Sequence, residues 1–190
     1  MVMVGEGPEL GDAFGCALSD MQAGRPVAIF AERDDGLVEV DSGDYLSGWS
    51  EHDTWALERA HGRVLDMGAG AGRASLVAQE RGQEVVALDV SPGAVEIRRR
   101  RGVKQVFCGG GRARAAGPAP FDSVLMLGNN LGLLGSPQRA QHVLAALGGV
   151  LRPGGIIVGA CIDPYQTREP VHLAYTSATG AQGECRARSP

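Results

Sequence analysis

Val64-Leu65-Asp66-Met67-Gly68-Ala69-Gly70-Ala71-Gly72-Arg73, answered downstream by Val85-Val86-Ala87-Leu88-Asp89, decides the fold. An apolar run ends in an acid and three alternate glycines, and a helix opens straight after. A second apolar run ends in another acid 21 residues past the first glycine, the layout of a βαβ nucleotide-binding unit. The dinucleotide spacing G-x-G-x-x-G does not fit. Counted from Gly68 it places Arg73 at the third position, and counted from Gly70 it places Ser75 there.

Working outward, Arg63–Asp66 reads as a central strand, apolar because both faces are covered. Arg73–Arg81 reads as a helix burying Leu76 and Val77, closed by Gly82. Glu84–Asp89 is a second strand. Ser91-Pro92 caps a helix through Val95 and Ile97 to Arg101, because serine accepts from a first-turn amide and proline is preset at the first helical position. Lys104–Cys108 is a short third strand, and the glycine- and proline-rich 109–120 a loop. Ser123–Leu127 is a buried strand. Ser136-Pro137 caps a helix with Ala140, Val143, Leu144 and Leu147 on one face. Leu151-Arg-Pro-Gly-Gly155 turns into a strand over Ile156–Ala160.

Upstream, Gly11–Gln22 has Phe14, Leu18 and Met21 at helical spacing. Asp35-Gly36 between Val27–Glu32 and Leu37–Val40 predicts a hairpin, since glycine takes the positive φ such turns need. Tyr45, Trp49 and Trp55 follow in a polar stretch, with a short helix over Thr54–His61. From Asp163 the chain turns polar, and Thr176–Pro190 shows no regular pattern.

The 190 residues suffice for one domain, burying roughly 70% of the unfolded surface. The net charge of -4 disfavours a general binder of nucleic acid or anionic membrane. In the basic run Arg98-Arg99-Arg100-Arg101, consecutive residues spread around the helix, so the run reads as a solvated end favourable to the helix dipole. Cys16, Cys108, Cys161 and Cys185 are scattered, without metal-ligand spacing, which fits a reducing cytoplasm and no metal. The first ten residues lack a signal-peptide pattern, and no apolar run reaches membrane-spanning length.

The observed D-x-G-x-G-x-G resembles the first motif of class I methyltransferases, which use S-adenosylmethionine (SAM). The Phe121–Asn129 strand and the Leu151–Gly155 turn are similar to that family's fourth strand and the turn before its fifth. The resemblance runs from Gly62 to Cys161. It implies a Rossmann-like three-layer α/β/α fold with a mostly parallel sheet, plus the N-terminal helix and β-hairpin. Residues 1–61 would form a cap segment, 62–163 the SAM-binding core and 164–190 a polar tail of one domain. It also implies a cofactor site at Asp66, Gly68, Ala69, Gly70, Gly72, Asp89, Val90, Gly128 and Asn129. Bare glycines admit the ligand, and helix-start amides meet its carboxylate. Asp66 complements its ammonium group. Asp89 offers two acceptor oxygens to the ribose hydroxyls. Tyr45 or Trp49 could line the cleft, or simply anchor their segment to the core.

Methyl transfer needs in-line positioning more than acid or base. Candidate catalytic groups are Asn129 and Asn130 after the fourth strand, and Asp163 and His172 after the fifth. Asn129 could bind substrate or cap the turn, and His172 reads as a histidine packed in a surface loop before it reads as a general base. Asn129-Asn130-Leu131 departs from the N-P-P-Y-type signature of enzymes that methylate base or glutamine amino groups, which favours a small-molecule acceptor. Glycines 109–111 stand where the family places an adenine-reading acid, leaving adenine to backbone or to Asp122. The final strand pair of the family's sheet has no counterpart in the pattern. The pattern is then that of a family member shortened at the C-terminus, either a fragment or a chain whose open sheet edge is covered by a second copy in a homodimer. The rival readings are a SAM-binding remnant without turnover and an NAD(P)-dependent oxidoreductase.

Overall fold

The computed structural model describes residues 12–33, 36–40, 42–109, 120–161, 172–176 and 182–185. In chain order these form α1 (Ala13–Gln22), β1 (Ala28–Arg33), β2 (Gly36–Val40), α2 (Glu51–Arg59), β3 (Arg63–Met67), α3 (Arg73–Glu80) and β4 (Glu84–Asp89). There follow α4 (Pro92–Arg100), β5 (Gln105–Cys108), β6 (Phe121–Met126), α5 (Pro137–Gly148), β7 (Leu151–Gly159), β8 (His172–Thr176) and β9 (Gln182–Cys185).

Five strands build a parallel sheet in the order β5-β4-β3-β6-β7. Its strands are apolar because helices cover both faces. On one face Leu65, Met67, Val86, Phe121, Val124 and Met126 pack with Leu147 of α5. On the other, Val64, Val85 and Leu125 pack against Ala56 and Leu57 of α2 and Ala74 and Ala78 of α3. The order reverses between β3 and β6, and ligands of open α/β sheets bind at the carboxyl ends beside such a switch. Both flanking strands end there, at Met67 and Met126.

Several expectations shift. Helix α2 starts at Glu51, not Thr54, because Ser50 and Asp53 close a reciprocal capping box. Helix α3 buries Ala74, Ser75 and Ala78, leaving Leu76 and Val77 half-buried. On α5 only Leu147 is buried, and Leu144 is exposed. Strand β7 already pairs at Leu151, and its register shift leaves Arg152–Gly155 as a bulge within it.

The larger correction lies at the C-terminal side. The polar stretch after Asp163 holds β8 and the stretch read as patternless holds β9; both join the hairpin in a second, antiparallel sheet ordered β2-β1-β8-β9. Strand β8 obtains its register from β1, far away in sequence, and β9 pairs with β8 in turn, so local pattern does not reveal them. Neither strand extends the parallel sheet. The 109–120 loop, at 110–119, lies outside the described residues.

Helix α1 connects the second sheet to the parallel one. Asp12 caps α1 through the Gly15 amide at 2.9 Å, and also accepts from Ser91 Oγ at 2.7 Å and the Gly93 amide at 2.6 Å. A methyl group built on Gly15 would lie 2.6 Å from the α-carbon of Gly93, so the two backbones touch. Ala13 and Ala17 of α1 pack on Ile29 of β1, while Leu18 packs on Ala71, Ala94 and Ile97.

Candidate cofactor site

The β3–α3 turn is folded back on the end of β4. The amides of Gly68 and Ala69 both donate to the carbonyl of Leu88, at 2.9 and 3.1 Å. All three glycines have positive φ: 68° at Gly68, 51° at Gly70 and 80° at Gly72. Their surroundings differ. A Cβ at Gly68 would strike the Asn130 amide, and one at Gly72 would lie 2.8 Å from Val103 Cγ2 and 3.0 Å from Arg98 Cγ. At Gly70 it would meet only the Phe14 ring, at 3.6 Å. The first and third glycines therefore serve packing, and the middle one leaves a cradle.

Asp89 closes that cradle at the tip of β4. Its Oδ2 accepts from the Gly70 amide at 2.8 Å and its Oδ1 from the Ser91 amide at 3.0 Å. A carboxylate has about four lone-pair directions, so each oxygen keeps capacity for a ligand hydroxyl. Val90 beside it is exposed. Asp66 lies deeper, at 2% exposure, and accepts from Ser75 Oγ at 2.6 Å. Burial raises its pKa, opposed by the Ser75 hydroxyl and the nearby Arg98.

The turn after β6 faces the glycines. Gly128 and Asn129 have φ of 64° and 73°, and both are exposed. Asn130 Nδ2 donates to the carbonyls of Met67 at 3.0 Å and Gly68 at 2.8 Å, so Asn130 holds the loop while Asn129 starts a short 3-10 turn. Of the other candidates, Asp163 lies outside the described residues. His172 is in β8, opposite Glu32 of β1, rather than in a surface loop. Asp122 cannot reach adenine as expected. It stands at the opposite end of the sheet, accepting from the Arg63 amide at 2.7 Å and pairing with Arg152 at 3.1 Å.

The segment between the hairpin and α2 is pinned to this loop. Phe14 meets Tyr45 edge-on, with centroids 5.8 Å apart. Arg73 pairs with Asp53 at 2.8 Å, donates to the Gly48 carbonyl and lies over the Trp49 ring. Trp49 remains 40% exposed.

A family described as a methyltransferase domain matches residues 64–155, the span from β3 to the bulge in β7. A SAM-dependent methyltransferase from Bacteroides fragilis, solved with S-adenosyl-L-homocysteine, superposes over 94% of this chain and 80% of its own. Its TM-score is 0.76 at 26% identity. This chain carries a class I SAM-dependent methyltransferase domain. The CcbJ methyltransferase of Streptomyces caelestis shares the fold at 19% identity and a TM-score of 0.57, with 70% of each chain covered. So does the sugar N-methyltransferase KedS8 of Streptoalloteichus sp., at 14% identity and a TM-score of 0.54, covering 72% of this chain and 70% of that one. No curated protein sequence matches significantly.

The cradle combines open space at Gly70 with the spare acceptor capacity of Asp89, itself only 8% exposed. Sequence reasoning missed the groups behind them. Arg98 and Arg101 of the basic run point inward, Arg98 to Gly70 and Arg101 to the carbonyls of Ala71 and Leu46, at 2.9 and 2.6 Å. Arg99 and Arg100 stay outside and pair with Glu96. Three-residue spacing puts positions 98 and 101 on one helix face, a signal that was present. Asp12 and Phe14, sequence-distant from the motif, gave none.

Proposed function

We propose that the protein transfers the methyl group of SAM to a small-molecule acceptor, through a cofactor site formed by Asp66, Gly68, Ala69, Gly70, Gly72, Asp89, Val90, Gly128 and Asn129. The observation that carries the cofactor assignment is the Asp89 carboxylate, oriented by two backbone amides beside the open Gly70 cradle. Bound there, SAM supplies a methyl carbon already activated by its sulfonium. The chain's own residues then have three tasks. Asp89 accepts from the ribose hydroxyls. The amides opening α3 favour the carboxylate end, since a helix N-terminus carries partial positive charge. The cap formed by α1, Tyr45 and Trp49 narrows the cleft and excludes water, and holding two reactants in line supplies several kcal/mol.

For the acceptor, the Gly128-Asn129-Asn130-Leu131 turn supports a small molecule. Asn130 is committed to the Met67 and Gly68 carbonyls. Asn129 is exposed, has a positive φ and lacks the prolines that shape a base-binding turn. The exposed arginines Arg99 and Arg100 are answered by Glu96, which speaks against a phosphate-binding face. Free, exposed Cys16, Cys108 and Cys161 support a reducing, cytoplasmic setting.

Calorimetric titration with SAM and with NAD tests the cofactor. Saturable SAM binding and none with NAD are expected. Asp89→Ala removes charge-assisted bonds of about 1.5–3 kcal/mol each, so affinity drops at least tenfold while the fold persists. Unchanged affinity would sink the ribose role. Labelled-methyl transfer into fractionated cell extract tests the acceptor class, and label confined to protein or nucleic acid overturns it.

A further inference from the structure

Arg98 is fully buried, yet it is a cation that a helix face of alanine and isoleucine would otherwise not hold. A buried guanidinium is costly unless its donors and charge are met, and arginine does not deprotonate in proteins. Its Nη1 donates to the Gly70 carbonyl at 3.1 Å and stands 3.6 Å from Asp89 Oδ2, and its Nη2 donates to the Phe107 carbonyl of β5 at 3.4 Å. Nε is buried with no partner among the described residues. The same Oδ2 receives the Gly70 amide at 2.8 Å. Gly70 N–H, Asp89, Arg98 and Gly70 C=O thus form a closed ring, with both polar groups of one peptide position held by one ion pair. Gly72 makes the room, since a Cβ there would press on Arg98 Cγ and Val103.

We propose that Arg98 is a positioning residue of the cofactor site, locking the Asp89 carboxylate and the Gly70 backbone into one rigid reader of the ribose hydroxyls. This rests on the cofactor reading above. Turning the carboxylate away would break its amide bond and its ion pair together, so its two oxygens meet the ribose already oriented. Lysine keeps the charge but not the planar fork that reaches Gly70, Asp89 and Phe107 at once.

The test titrates the full chain, as wild type, Arg98→Lys and Arg98→Met, with S-adenosylhomocysteine and with its 2′-deoxyribose analogue. Melting curves establish that each variant is folded. Wild type should prefer the ribose form at least tenfold. In Arg98→Met the preference should collapse at least fivefold, with Arg98→Lys in between. An arginine that merely fills space would weaken both ligands by the same factor and leave the ratio intact, and that result overturns the proposal. So does a wild type that binds both ligands equally. If wild type binds neither, the cofactor reading itself fails. Should Arg98→Met not fold, the ratio in Arg98→Lys decides alone.

Discussion

Burial raises the pKa of Asp66 above the ordinary aspartate value of 3.8. The folded chain then binds more protons than the unfolded chain between 3.8 and the raised value. That contribution to stability is complete below 3.8 and is lost as pH rises through the folded value. Asp66→Asn cannot ionise, and its amide oxygen can still accept from Ser75 Oγ. The wild type should therefore lose stability relative to Asp66→Asn as pH climbs from 3.8 toward neutrality. Melting temperatures of both proteins across that range provide the check, and parallel curves would refute it. Asp89, only 23 positions along and similar in local sequence, accepts two backbone amides instead. Two acids ending two adjacent strands thus hold different environments, one facing α3 and the other the cradle.

At the scale of elements, the glycine turn divides its labour, and substitution separates the parts. Gly72→Ala meets a left-handed φ and a collision with Val103, and should cost about 2–4 kcal/mol. Gly82→Ala has φ of 83° but open space around it, so only the backbone cost of about 1 kcal/mol applies. Denaturant unfolding of the two variants measures the difference; equal losses would mean that the Val103 contact is unimportant. The βαβ core was legible because its signals are local. Alternate glycines, Ser91-Pro92 and the apolar runs of β3, β4 and β6 each act within a few residues. The start of α2 was legible too, in the capping box of Ser50 and Asp53 three residues apart. Arg98 was not legible as a buried group. A four-arginine run favours solvent in isolation, and only the tertiary placement of Gly70 and Asp89 gives position 98 its partners.

The molecule as a whole has two sheets joined through α1. Strand β8 lies inside the second sheet, paired with β1 on one side and β9 on the other. Each of its backbone amides therefore faces a partner strand, and proline in such a strand removes a ladder bond. Ala174→Pro should abolish hydrogen-exchange protection at Ala28–Arg33 while β3, β4 and β6 keep theirs. Loss of protection in both sheets together would show a single cooperative unit instead. That Asp89, the glycines and the turn after β6 lie together at one end of the sheet was foreseeable from strand order and motif spacing. The architecture around them was less so, because β8 pairs with β1, more than 130 positions earlier in the chain, and β9 joins through β8.

The contact between Gly15 and Gly93 gives the cleft a direction. Two bare α-carbons meet there, with Asp12 stitched across them to Ser91, and no side chain could pass between α1 and α4. That seam works like the spine of a book. It fixes where the two covers join, so that α1 and α4 keep one spacing.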